Sequence, residues 1–192
     1  MKKALIFLLC VSLFLCCGCT GYREIERGYF VTEIGFTKQG RNFNIILETL
    51  SPSDVQPSGE TSHVLSGSGK TLDAAYDEIN KSLIKKLYFE HCGVIVFNQN
   101  FTEDELSEIF DFCSTFKTLN IDAFAVKSDE VKLLFETEAA DEIIGYDIIG
   151  LVKNAGDNVF SNQLYQIERQ RKRGISTILP TVSVKNNTLI LE

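Results

Sequence analysis

The run Gly67-Ser-Gly-Lys-Thr71 comes closest to a chemical motif, because it looks like the end of a phosphate-binding P-loop. In a P-loop, backbone N–H groups and a lysine hold the phosphates of a nucleotide. The full motif needs a glycine five residues before Gly69, where Val64 stands, and a buried strand should precede it, whereas Glu60–His63 is polar. We therefore favour the alternative, a flexible glycine turn followed by a helix cap at Thr71, over nucleotide binding.

The histidines and cysteines do not converge on a catalytic or metal site in the sequence. His63 and His91 are far apart, and neither has a neighbouring ligand pair, which zinc binding or histidine catalysis would need. Cys92 and Cys113 both lie on apolar faces and are expected to be buried thiols, with a disulfide between them as an open alternative outside the cytoplasm.

Two charged clusters have a simple structural explanation. The carboxylates of Glu103, Asp104 and Glu105 follow Thr102 at the start of a predicted helix, where the helix dipole favours negative charge. A basic run lies at the end of a later predicted helix and consists of Arg169, Arg171, Lys172 and Arg173. The helix dipole favours cations at that end, and contact of the run with lipid head groups is the more specific alternative. Nothing in these clusters requires catalysis, so we expect a protein that is not an enzyme, with no cofactor and no bound metal.

The amino terminus has the features of a lipoprotein signal peptide. Lys2 and Lys3 precede the apolar stretch Ala4–Leu15, which is shorter than the ~20 helical residues that cross a bilayer. Small Gly18 then stands directly before Cys19, as a lipoprotein signal peptidase requires. We expect cleavage after residue 18 and acylation of Cys19, whose acyl chains would hold the protein on the bilayer. A plain signal peptide cut near Gly18 and an uncleaved anchor are the alternatives.

Composition excludes several classes of protein. The 192 residues are 44% hydrophobic and 23% charged, which is ordinary for a globular chain and unlike a disordered or collagen-like one. A net charge of −7 argues against nucleic acid as the main partner. Removal of residues 1–18 takes away two lysines and no acid, leaving 17 basic against 26 acidic residues and a charge of −9.

Hydrophobic periodicity predicts alternating strands and helices. In Arg41–Leu50, Phe43 and Ile45 alternate with polar or solvent-facing positions that include Glu48, as in a half-buried strand. The apolar core of Tyr88–Phe97 instead suits a strand in the middle of a sheet covered on both sides. Further strands are predicted over Tyr29–Phe36, Glu60–Ser66 and Ile121–Val126, and helices over Lys70–Leu87, from Thr102 onward, Asp129–Phe135, Ala139–Lys153 and Asn162–Arg173, with extended chain over Ile175–Val184. The order predicts an α/β (α+β) fold, a mixed β-sheet with helices packed against it.

Several short motifs follow one another along the chain. Arg23-Glu-Ile25 and Val31-Thr-Glu-Ile-Gly35 come after Cys19, and further on stand Gly67–Leu72, Lys85-Lys-Leu-Tyr-Phe89 with His91, and Ile121-Asp-Ala-Phe124. These motifs and the spacing after Cys19 resemble the Ger(x)C family, the lipoprotein subunits of nutrient germinant receptors in spore-forming bacteria. Thr20 and Gly21 differ from the family, which has a Trp-Asp pair there. The glycines and Lys-Thr of the P-loop-like run recur in this family without a nucleotide role.

The resemblance implies a non-catalytic lipoprotein subunit of a germinant receptor, on the outer face of the cell membrane and the inner membrane of the spore. Its expected partners are the bilayer, through Cys19, and the integral-membrane A- and B-type receptor subunits. We expect a signal peptide at 1–18, a Ger(x)C-like N-terminal domain at 19–184, and at 185–192 the stub of a following domain. A solute-binding lipoprotein of a transporter is the alternative function, and a P-loop NTPase is a weaker third.

Overall fold

The computed structural model describes residues 28–51, 62–137, 143–155, 162–176, 178–186 and 188–191. Cys19 and the signal sequence lie outside the described residues, as does part of the predicted helix Ala139–Lys153. The predicted site of lipidation therefore stays a prediction.

Six strands form one mixed sheet. They are β1 (Gly28–Gln39), β2 (Asn42–Leu50), β3 (Ser62–Gly69), β4 (Lys86–Tyr88), β5 (Val94–Asn98) and β6 (Phe124–Ser128). The order is β3-β2-β1-β5-β6, and β4 pairs with the first three residues of β1. Strands β1, β2 and β3 are antiparallel neighbours, whereas β4, β5 and β6 run parallel to β1. Strands β7 (Val182–Lys185) and β8 (Thr188–Leu191) form a separate hairpin.

Helices cover both faces of the sheet. On the first face lie α1 (Leu72–Ser82), α2 (Glu103–Cys113) and α5 (Leu164–Arg171); on the second lie α3 (Val131–Glu136), α4 (Ile144–Asn154) and the β7–β8 hairpin. Strand β5 sends Ile95 and Phe97 into the first core and Val94 and Val96 into the second. This confirms both the mixed α/β fold and the expectation that β5 lies between two covered faces.

The largest differences from the predicted elements lie on either side of β4. The helix predicted over Lys70–Leu87 stops at Ser82, and Leu87 lies in β4 beside Tyr29 instead of on the helix stripe. The strand predicted over Tyr88–Phe97 is divided into β4 and β5 by a turn at Glu90 and His91. In both places, pairing with β1 replaces what the local periodicity favours.

A β-bulge interrupts β1 between Val31 and Glu33. Val31 and Ile34 lie in the same core although they are three residues apart, a spacing that would place them on opposite faces of a regular strand. The bulge therefore changes which face the side chains that follow it occupy, and it brings Glu33 opposite Glu48 of β2.

No helix within the described ranges is long and apolar enough to cross a membrane.

Candidate functional site

The P-loop-like glycines lie in strand β3 and not in a turn. A Cβ atom on Gly67 would overlap the carbonyl oxygen of Ala75, and one on Gly69 would stand 2.5 Å from the Ala75 nitrogen. These positions are glycine because the backbone of α1 lies directly on β3. The expected flexible turn is wrong, but the helix cap is confirmed, since the Thr71 hydroxyl accepts a hydrogen bond from the Ala74 N–H at 3.2 Å.

A carboxylate occupies one of the N–H groups that a phosphate would need. The backbone N–H of Ser68 donates to Glu78 of α1 at 3.0 Å. Lys70 is exposed and lies two residues before α1. A nucleotide phosphate would meet this negative side chain, so the geometry supports a strand-to-helix connection over a nucleotide site.

The histidines are placed separately, as expected. His63 of β3 meets the ring of Tyr29 edge-on, with ring centres 6.2 Å apart. His91 is exposed in the turn before β5 and meets Phe30 edge-on at 5.2 Å. Across the part of the chain that the structure describes, no cluster of three or more His, Cys, Asp or Glu side chains could hold a metal ion.

Cys92 and Cys113 are free thiols and fully buried. Burial raises the pKa of Cys113 to about 12, and the negative charge of Glu168 adds to the effect. Burial also raises the pKa of Cys92 well above the usual thiol range. Because a thiol reacts as the thiolate, these cysteines are packing residues and poor nucleophiles.

The acidic start of α2 is a complete capping box. The Thr102 hydroxyl accepts from the N–H of Glu105, and the Glu105 carboxylate accepts from the N–H of Thr102 at 2.9 Å. The same carboxylate pairs with Lys38, which is the main reason that the pKa of Glu105 is lowered. These acids therefore stabilise a helix start, as the sequence predicts.

A polar groove of about 630 Å³ separates α2 from the carboxyl end of α5. The Arg171 guanidinium closes one side, donating to the Ser107 hydroxyl at 2.5 Å and to Asp111 at 3.1 Å, and lying over the ring of Phe110. Within the basic run that the sequence singles out, Arg171 is thus a bridge between two helices.

The least expected feature is a pair of buried glutamates facing the start of α4. Glu33 of β1 and Glu48 of β2 lie opposite each other, 0% and 3% exposed. Glu48 accepts hydrogen bonds from the Thr32 hydroxyl at 2.9 Å, from the Ile144 N–H at 3.2 Å and from the Gly145 N–H at 3.4 Å. The two carboxyl oxygens of Glu33 have no hydrogen-bond partner among the residues that the structure describes.

The two carboxyl groups have different electrostatic environments. Burial raises the pKa of Glu48, but the hydrogen bonds from Thr32 and from the α4 amide groups oppose the shift, so Glu48 is the better placed to carry charge. Burial, and then the charge of Glu48, raises the pKa of Glu33 well above its usual range. Glu33 is therefore the protonated member of the pair.

Sequence reasoning missed this pair for two reasons. Glu48 stands on the face of β2 that alternation predicts to be solvated, but α3 and α4 cover that face. Glu33 follows a bulge that the alternation does not reveal. The available signal was the position of Glu33 inside an otherwise apolar strand. The pair can fix the start of α4 on the sheet, and its burial separates it from any dissolved substrate.

The chain belongs to the family described as "Spore germination protein N-terminal domain", whose model matches residues 21–184. The matched segment takes in the six-stranded sheet, the five helices of the described residues and strand β7 as far as Val184. No curated protein and no solved structure matched the chain. The class of protein is thus a spore germination protein, as the resemblance of the motifs predicts.

Proposed function

We propose that this protein is the membrane-anchored lipoprotein subunit of a nutrient germinant receptor and that it acts without catalysis. The observation that carries the proposal is the family match, which begins two residues after Cys19. An acylated Cys19 would hold the domain on the outer face of the cell membrane, which becomes the inner membrane of the spore. The A- and B-type integral-membrane subunits would be its protein partners.

Three features that could suggest chemistry have a structural explanation in the described residues. The P-loop-like run is a packed strand followed by a helix cap, the thiols of Cys92 and Cys113 are buried, and the buried glutamates face the start of α4. Each of these features contributes to the packing of the domain. The family membership favours a germination protein over the transporter lipoprotein.

Lipidation is tested by labelling cells with a clickable palmitate analogue. The wild-type chain and Cys17→Ala, which removes the neighbouring cysteine, should both be labelled, whereas Cys19→Ala should not. Equal labelling of Cys19→Ala would refute acylation at that residue.

The receptor role is tested in spores. Replacing the gene by the Cys19→Ala form should slow germination in nutrients, while germination triggered without nutrients should stay normal. Purification of the tagged wild-type chain from spore membranes should recover two integral-membrane proteins of receptor type. Recovery of a transporter permease instead would favour the alternative function.

A further inference from the structure

The described chain enters the fold at one end of the sheet. Gly28 is the first residue of β1 and pairs with Lys86 of β4, while Leu50 at the end of β2 pairs with Phe30 and with Ser62. We call this the proximal end, and the opposite end, which holds the β1–β2 turn, the distal end. Helix α1 follows β3 from the distal end, so Ser82 brings the chain back to the proximal end.

The connection between α1 and β4 presents an apolar residue to solvent at the proximal end. Ile84 is 102% exposed, the highest value among the large hydrophobic side chains that the structure describes. Lys81 and Lys86 on either side are exposed as well. Lys85 points back to the fold, with its ammonium 2.6 Å from the Ser51 hydroxyl and over the ring of Tyr29. An isoleucine between exposed lysines has the chemistry of a contact with an anionic lipid surface.

The length of chain before Gly28 restricts how the domain can face a membrane. Eight residues separate Cys19 from Gly28, so the two Cα atoms are at most about 32 Å apart. Strand β1 has 12 residues and is about 36 Å long. If Cys19 is held in the bilayer, the distal end cannot face the membrane with β1 upright, because Gly28 would lie beyond the reach of the chain.

Charge alone does not select the proximal end. Arg41 and Lys70 are exposed at the distal end, and the basic run at the end of α5 includes Arg171, which is bound to α2. Exposed apolar residues do not select it either, because Ile175 and Ile178 are 51% and 69% exposed and follow this basic run. The short connection to Cys19 distinguishes the two ends.

We propose that the segment Leu83–Lys86 contacts the anionic surface of the same bilayer that holds Cys19, with Ile84 inserted among the lipids and Lys81 and Lys86 near the phosphates. This inference rests on the proposed acylation of Cys19. The second contact would fix the orientation of the domain and direct its distal end away from the membrane.

The sequence contains no tryptophan, so one introduced residue reports on its own surroundings. The lipidated full chain carrying Ile84→Trp is reconstituted in vesicles of phosphatidylglycerol and phosphatidylcholine. Its emission should shift to shorter wavelength, and lipids with brominated acyl chains should quench it. The matched control is Leu133→Trp, which replaces an exposed apolar residue of α3; its emission should not respond to either change. Circular dichroism confirms that both variants are folded.

Charge reversal distinguishes a specific contribution of Lys81 and Lys86 to the lipid contact from a general effect of the net charge of the protein. In the Ile84→Trp chain, the double substitution Lys81→Glu and Lys86→Glu should lower the equilibrium constant for contact of the indole with lipid by a factor of about 25 or more. The reason is that each lysine near an anionic surface contributes about fivefold to this constant. Arg41→Glu with Lys70→Glu changes the net charge equally and should leave the quenching of the indole unchanged. High salt should weaken the contact when all four basic residues are kept.

The outcomes distinguish this inference from the proposed function. If the Ile84→Trp protein floats with the vesicles but its indole is not quenched, the anchor stands and the lipid contact is refuted. If the protein does not float with vesicles, the anchor itself is refuted. Equal quenching at positions 84 and 133 would overturn the orientation. An emission shift of Ile84→Trp only after receptor membrane subunits are added would assign the segment to a protein contact and overturn the lipid contact.

Discussion

Replacing Glu33 by methionine should stabilise the protein, and the gain should increase with pH. Glu33 is 0% exposed, and neither carboxyl oxygen has a hydrogen-bond partner among the described residues. A buried polar group without a partner costs about 1–3 kcal/mol even when it is neutral. Methionine has a similar length and flexibility and no group that needs a hydrogen bond, so Glu33→Met should raise the free energy of unfolding by about that amount in mild acid.

The pH dependence follows from the direction of the pKa shift. Because the pKa of Glu33 is raised in the folded protein, the unfolded chain loses its proton first as pH rises. The folded state of the wild type therefore loses relative stability above the pKa of the unfolded chain, until the folded pKa is reached. Above about pH 4.5, where the unfolded carboxyl group begins to lose its proton, the difference in stability between Glu33→Met and wild type should therefore widen with pH, by at most about 1.4 kcal/mol per pH unit.

Urea unfolding followed by circular dichroism at several pH values measures this difference. Glu90→Met is the matched control, because Glu90 is exposed and its replacement should change stability by less than about 0.5 kcal/mol. A stability difference between Glu33→Met and wild type that does not change with pH would refute the assignment of Glu33 as the protonated member. A less stable Glu33→Met would refute the view that its carboxyl group lacks a partner.

Three further predictions concern the packing and the glycine-rich run. Gly67→Ala should destabilise the protein by at least about 2 kcal/mol in the same assay, because the new Cβ would meet the backbone of α1. The control is Gly150→Ala in α4, where a Cβ would meet nothing within 4 Å; it should be neutral or stabilising by up to about 1 kcal/mol. Equal effects of the two substitutions would contradict the packing explanation. Thr102→Ala should cost about 1 kcal/mol through loss of the capping box, and no loss in urea unfolding would show that the box contributes nothing. ATP should not raise the melting temperature of the wild type; a rise that Lys70→Ala abolishes would restore the P-loop interpretation.

Features encoded within a few neighbouring residues could be read from the sequence. The capping box at Thr102 depends on a hydroxyl and a carboxylate three residues apart, and it forms as predicted. The apolar run of β5 indicated a strand buried on both faces, and the structure places it between β1 and β6. In both places the local pattern and the tertiary contacts favour the same structure.

Features that depend on distant contacts could not be read. Leu83 and Leu87 continue the stripe of α1, yet the helix ends at Ser82 and Leu87 pairs with Tyr29, which is remote in sequence. The burial of Glu48 is decided by α3 and α4, and nothing in residues 41–50 encodes their position. The family resemblance supplied the class of protein, and it gave no indication of the buried glutamates.

The place of β1 within the sheet has a mechanical consequence. Its first residues are hydrogen-bonded on one side to β4 and, from Phe30, on the other side to β2. A pulling force that arrives through the chain before Gly28 therefore acts along an interior strand and loads two rows of backbone hydrogen bonds together. An edge strand such as β3 is paired on one side only, so the same pull would load a single row of hydrogen bonds. The fold therefore receives external tension at a strand suited to resist it.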